Sequence, residues 1–192
     1  MLFEDDTRID LTICTLQTFH AKHSGEQYLK CLLDKDNVIP MLKNNQESRF
    51  RIKPIDEKQF YRVCSEFFWE LQNVAKGLKR DELSYAMFIR DISMRDMLNI
   101  MLDAYIGMKN DYQVNTGTLG KYRKKYLSGL QYEKYRETYQ ANTNEDVWKS
   151  VFAMIDLFGE VGRSIAQKYN YRYPQNDERT IIEYLERVKV KE

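Results

Sequence analysis

The chain has 192 residues, 30 Lys+Arg against 29 Asp+Glu for a formal net charge of +1, 43% apolar side chains, 8 Gly and 3 Pro. That is one domain, or one and a piece, long enough to bury a sizeable core without disulfide or metal staples. Balanced charge argues against steering toward nucleic acid or membrane, 13% aromatic content against disorder, and the absence of any apolar run near 18 residues against a membrane-spanning helix.

In chain order, the opening MLFEDDTRID has neither the basic start nor the apolar stretch of a secretory signal. Residues 8–14 alternate, with Ile9, Leu11 and Ile13 on one face and Asp10, Thr12 and Cys14 on the other, as in a strand. The apolar MLF before them and the turn-prone EDDT between predict a short hairpin, which needs further strands because a two-stranded hairpin is marginal alone. Short helices are predicted around 16–30, a brief extended CLLD at 31–34, and an exposed loop at 43–48. RFRIK at 49–53 alternates again, with Arg49, Arg51 and Lys53 on one side.

Beyond Pro54 the period becomes helical. Asp56 is a predicted cap, and Phe60, Val63, Cys64, Phe67, Phe68, Leu71, Val74 and Ala75 recur at three- and four-residue spacing up to a stop or bend at Gly77. A second helix is predicted from about Asp81 to Ile106, then a turn-rich stretch at 109–120 and shorter helices near 121–127 and 130–139. A long helix at about 145–169 and a last one at about 176–189 close the pattern. It reads as a sheet fragment followed by a helical bundle.

Few residues suggest chemistry unaided. Asp10, mid-strand, is either an edge-strand carboxylate or one oxygen ligand for Mg²⁺. Asp91 and Arg95, four apart, share one helical face: a solvated ion pair, or an acid able to take a proton from a substrate hydroxyl. Lys76, Lys79 and Arg80, the basic face at 49–53, and KYRKK at 121–125 suit phosphate oxygens, although charge runs are usually solvated faces. Glu66, within the aromatic EFFW, either faces a cationic ligand or lies on a polar edge. Cys14, Cys31 and Cys64 form neither a zinc motif nor a disulfide framework, and His20 and His23 lack companion ligands. The Gly117–Gly120 segment is too short for a Walker or Rossmann loop. The tyrosines of 122–139 read as helix packing.

Taken in order, LFEDDTRIDLT, EFFWELQNVAKGLKRDEL, YAMFIRDISMRDMLNIML, GTLGKYRKKYL, EDVWKSVFAMIDLFGEVG and YRYPQNDERTIIEYL resemble the aminoglycoside 6-adenylyltransferases, the streptomycin-modifying nucleotidyltransferases. The resemblance implies an α+β, mostly α chain: short strands left from a nucleotidyltransferase sheet, residues 1–53, followed by a helical substrate-binding bundle, residues 54–192. It implies that Asp10, in the I-D-L-T pattern, is the third metal-holding carboxylate, the other two lying on a D-x-D that follows a Gly-Ser motif. Neither motif precedes Asp10 here, so the chain resembles the C-terminal two-thirds of such an enzyme.

The resemblance further implies that Asp91 is the general base and, with Glu66 and Arg95, contacts the drug. Lys76, Arg80 and Lys121 would then face the nucleotide. Phe88, Ala104 and Thr118 stand where relatives carry an acid, a tryptophan and a lysine. The expected function is cytoplasmic O-adenylyl transfer from Mg-ATP to a streptomycin-type aminoglycoside, an antibiotic-resistance reaction. The expected cofactor is Mg²⁺, the partners are aminoglycoside and ATP, and the chain is a monomer or homodimer without nucleic acid or membrane. The alternative is a truncated, non-catalytic remnant serving as a drug-binding or oligomerisation module.

Overall fold

The computed structural model describes residues 1–23, 31–38, 50–141 and 143–189. They fall into two compact units, Met1–Arg49 and Phe50–Glu192, against an expected domain boundary at 53/54. Leading residues Phe50–Lys53 group with the second unit, where the Ile52 amide donates to the Val114 carbonyl at 3.1 Å.

The α+β expectation is corrected: among the described residues no strand forms. The predicted turn at EDDT, residues 4–7, is present, with the Asp6 amide donating to the Phe3 carbonyl, but the flanks meet only in one antiparallel bridge, Leu2 with Arg8. Residues 11–15 run on without a ladder, and CLLD at 31–34 is irregular. A strand satisfies its backbone only through a neighbour, so alternation alone cannot make a sheet. Arg49 lies outside the described residues, and Phe50–Lys53 form no strand. Within the first unit, α1 spans Leu16–His23, and the rest of the predicted 16–30 region lies outside the described residues.

The second unit is built from helices. Asp56 caps α2 (Glu57–Lys79), accepting from the Gln59 amide at 2.7 Å, and the predicted apolar stripe from Phe60 to Ala75 is buried. Gly77 does not end α2: a Cβ there would lie 3.0 Å from the Ala86 Cβ, so the glycine lets α3 (Leu83–Phe88) approach closely. The helix predicted from Asp81 to Ile106 is α3, a π-helical segment Ile89–Met94, and α4 (Arg95–Lys109). Tight 3₁₀ turns at Thr118–Gly120 and Arg123–Lys125 replace the helix predicted at 121–127.

A Ser128/Gln131 capping box starts α5 (Gly129–Glu137), Thr143 caps α6 (Asn144–Tyr169), and α7 (Gln175–Lys189) follows. The packing runs α2 on α3, the π segment, α4 and α7, with α6 on α4 and α5. Phe67 and Phe158 stack in this core with ring centroids 3.9 Å apart, and Trp148 is buried elsewhere on α6 against Phe152.

Candidate functional site

On the solvent side of α2, Arg62, Glu66, Trp69, Asn73, Lys76 and Arg80 follow one another at spacings of four and three, which puts them in a single row. Three residues expected to bind substrate, Glu66, Lys76 and Arg80, therefore share one face. Both Glu66 oxygens accept from Arg62 Nη1 at 3.1 and 3.0 Å, and Lys76 Nζ donates to Gln72. Trp69, 67% exposed, stands between the acidic and basic ends of the row. Sequence reading passed over it, although the row's spacing contains it.

Asp91 lies in the π segment, where wider i→i+5 turns break the regular α register; such bulges recur at functional sites. Its carboxylate is 39% exposed on one side and gripped on the other. Arg90, only 2% exposed, donates from Nε to Asp91 Oδ1 at 2.9 Å and from Nη2 to Oδ2 at 3.1 Å. Its remaining reach goes to the Gln140 carbonyl at 2.8 Å and Ser150 Oγ at 2.9 Å.

Arg95 stands 4.0 Å from the Asp91 carboxylate but is buried, donating to Thr138 Oγ1 and the Thr138 carbonyl and stacking 3.8 Å from the Tyr139 ring centroid. The expected Asp91–Arg95 pair is thus solvated at the acid and buried at the base. Burial lowers the Arg95 pKa, opposed by Tyr139, Tyr135 and Asp91. Burial and the Tyr135 hydrogen bond push Tyr139 up to about 12. Arg90 was missed by sequence reading; the signal was its place in the buried row Ala86, Arg90, Met94.

The row through Asp91 and Arg95 continues at four-residue spacing to Asn99 and Asp103, where a third buried cation, Arg123, is held. Arg123 donates to both Asp103 oxygens at 2.9 and 3.0 Å, to Asn99 Oδ1 at 2.7 Å and to Tyr135 Oη at 3.3 Å. Burial opposes its charge, but the Asp103 hydrogen bonds and charge outweigh that and raise its pKa. One member of the KYRKK patch is therefore an internal anchor. Its guanidinium fills the space a Cβ would need at Gly120, which also has φ +75°. Lys121, next in the chain, is exposed, with Nζ 5.0 Å from the Tyr122 ring centroid.

Asp10 belongs to the first unit, is 71% exposed, and accepts from Arg8 through both oxygens at 3.0 and 2.8 Å. It can supply one oxygen ligand once Arg8 lets go. Among the described residues no group of three His, Cys, Asp or Glu side chains gathers around a common point. The donor set described does not by itself fit a resident Mg²⁺, which favours several oxygen ligands. A groove of about 430 Å³ runs between α2 and α7, lined by Phe68, Trp69, Gln72, Ile181, Tyr184 and Arg187 among others. Of the α2 row only Trp69 reaches it. Among the described residues no helix is long and apolar enough to cross a membrane.

With this geometry in place, comparison with known proteins is informative. The family described as streptomycin adenylyltransferase matches residues 1–188. An aminoglycoside 6-adenylyltransferase of Bacillus subtilis (strain 168) is 30% identical over 181 residues, 93% of this chain and 63% of the relative. Its namesake in Campylobacter jejuni is 31% identical over 192 residues, 100% of this chain and 66% of the relative. The crystal structure of an aminoglycoside 6-adenyltransferase from Bacillus subtilis aligns with TM-score 0.67 at 29% identity, covering 98% of this chain and 69% of that one. The chain thus spans just under two thirds of the length of these curated relatives. A match along almost all of its length, together with a solved relative that aligns over 98% of it, makes the chain a member of the streptomycin adenylyltransferase family, a family of nucleotidyltransferase enzymes.

Proposed function

We propose that this chain serves adenylyl transfer from ATP to a hydroxyl of a streptomycin-type aminoglycoside, an antibiotic-resistance reaction in the cytoplasm. The observation that carries the reading is the family match over residues 1–188. The drug hydroxyl oxygen attacks the α-phosphorus, a new O–P bond forms, and the bond to the bridging oxygen breaks. Pyrophosphate leaves with that electron pair while the hydroxyl proton passes to Asp91. Mg²⁺ carried by ATP as part of the co-substrate would offset phosphate charge.

This chain's own residues have five tasks in that scheme. Asp91 receives the drug hydroxyl, and its half-open carboxylate leaves lone pairs toward solvent. Glu66, with Asp91, attracts the polycationic drug, an attraction that salt weakens. Arg95 holds the Thr138–Tyr139 wall of the drug site. Lys76, Arg80 and Lys121 offset the leaving pyrophosphate, and Asp10 would supply one oxygen ligand to a metal carried by ATP. Residues 1–53 are the nucleotidyltransferase part in this reading, and 54–192 the drug-binding part.

The same placement favours a second reading for the chain by itself, namely binding without transfer. Glu66, Asp91 and Arg95 all belong to the helical unit with its own core, whereas the sequence carries no Gly-Ser motif for the triphosphate. The experiment is radiolabelled AMP transfer from [α-³²P]ATP to streptomycin by the 192-residue chain, beside calorimetric titration with streptomycin. We expect saturable drug binding with negligible transfer. Robust turnover abolished by Asp10→Asn would favour the full enzyme over the binding module, and absence of drug binding at low salt would overturn both.

A further inference from the structure

We infer that Arg90 is a positioning residue: its buried guanidinium sets the plane of the Asp91 carboxylate and ties it to the α5–α6 turn. The inference rests on the proposed role of Asp91 in meeting the drug. Neighbouring residues on a helix do not ordinarily face each other, yet Arg90 and Asp91 make two parallel hydrogen bonds of 2.9 and 3.1 Å. Both residues lie in the π segment, where the regular α register is broken.

The guanidinium is held from the opposite side. Nη1 donates to the Gln140 carbonyl in the turn after α5 and to Ser150 Oγ on α6. Ser150 in turn donates to the Val147 carbonyl at 2.7 Å, so its lone pairs are aimed back at Arg90. Four hydrogen bonds to three separate pieces of chain leave the 2%-exposed cation almost no freedom. Because a forked guanidinium matches a carboxylate in one plane, fixing the guanidinium fixes the carboxylate.

A lysine would preserve the charge and lose the fork. Arg95, whose guanidinium lies 4.0 Å from Asp91, is committed to Thr138 and Tyr139 of the same turn. Two buried cations thus connect Asp91 to residues 138–140, and any rearrangement of that turn reorients the carboxylate. The role is distinct from catalysis: Arg90 has no exposed surface with which to touch a substrate, and it acts through Asp91.

The test is a double-mutant cycle read as streptomycin affinity, measured by calorimetry on the full chain, with a circular-dichroism melt of each variant. Asp91→Asn is expected to weaken binding at least tenfold and Arg90→Lys about tenfold. Arg90→Lys added to Asp91→Asn should change affinity by less than twofold, since a residue acting through Asp91 has nothing left to position. Ser150→Ala keeps both charged partners and removes one anchor. It should weaken binding about threefold and serves as the decisive arm should Arg90→Lys fail to fold.

Equal losses from Arg90→Lys in both backgrounds would overturn the inference, as would wild-type affinity in a folded Arg90→Lys or Ser150→Ala variant while Asp91→Asn fails to bind. Wild-type affinity in Asp91→Asn would instead remove the proposed role of Asp91, and the inference with it.

Discussion

The two units use similar apolar residues to opposite effect. In the first, Leu2, Ile9, Leu11, Ile13, Leu32 and Leu33 are all exposed. In the second, residues of the same kinds from Ile55 to Leu185 form a continuous core in which Phe60, Leu71, Leu98 and Ile165 lose all contact with solvent. The difference lies in what each period requires. A helix satisfies its own backbone and needs only a neighbour for its apolar stripe, whereas a strand needs a hydrogen-bonded neighbour before its faces mean anything. Hydrophobic period predicts burial only where that second condition is met.

The contrast breaks most sharply by truncation. Phe158→Ala removes one ring of the Phe67–Phe158 stack and should cost about 3–5 kcal/mol in a urea melt. Leu11→Ala and Ile13→Ala, at exposed positions of the first unit, should stay within about 0.5 kcal/mol. A large loss from either would show that those side chains are covered in solution.

Next in size is the buried cation beside Asp91. Asp91→Asn leaves Arg90 without its countercharge and should cost roughly 3 kcal/mol, most of it recovered in Arg90→Met/Asp91→Asn, because removing a buried pair together avoids the stranded charge. A mild Asp91→Asn phenotype would mean that water reaches Arg90.

The thiols sharpen the same comparison. Cys14 and Cys31 are exposed and should react rapidly with a thiol reagent, while Cys64 is buried and should react only on unfolding. Burial, reinforced by Glu178, pushes the Cys64 thiol up to about 12. Its unfolded counterpart ionises near 9, so Cys64 favours the folded state below that pH and loses the benefit progressively between pH 9 and 12. Melts over that range should show stability falling, less steeply in Cys64→Ala.

The smallest effect is expected on the α2 surface, where Glu66→Gln removes a half-exposed pair with Arg62 and should cost only about 0.3–0.5 kcal/mol. Its effect on streptomycin affinity should be larger, and a loss in stability alone would return Glu66 to the solvated face.

Helix positions were legible because periodicity and the Asp56 cap point the same way, whereas the Ser128 and Thr143 caps emerged only in the structure. The packing reading of the tyrosines of 122–139 holds for Tyr126, Tyr132 and Tyr135, which lie against the core, whereas Tyr122 and Tyr139 are exposed. What stayed hidden were features without a local signature. The π segment inside YAMFIRDISMRDM leaves no pattern distinct from an α-helix, and Arg123 looks like its exposed neighbours Lys124 and Lys125 until Asp103 and Asn99 are folded against it. The predicted strands failed for the converse reason, since alternation is visible locally and a pairing partner is not. Of the candidate residues, sequence spacing alone shows that Glu66, Lys76 and Arg80 share a row, but not that Asp91 is gripped from behind by a buried arginine.

In the proposed function the Asp91 carboxylate, held by Arg90, is the helical unit's point of contact with the drug. The most direct test of this is calorimetric titration of the 192-residue chain with streptomycin beside the folded Arg90→Met/Asp91→Asn variant, at low ionic strength. The account predicts saturable binding to the wild-type chain and at least a tenfold weaker affinity in the variant. Equal affinity in the two would contradict it.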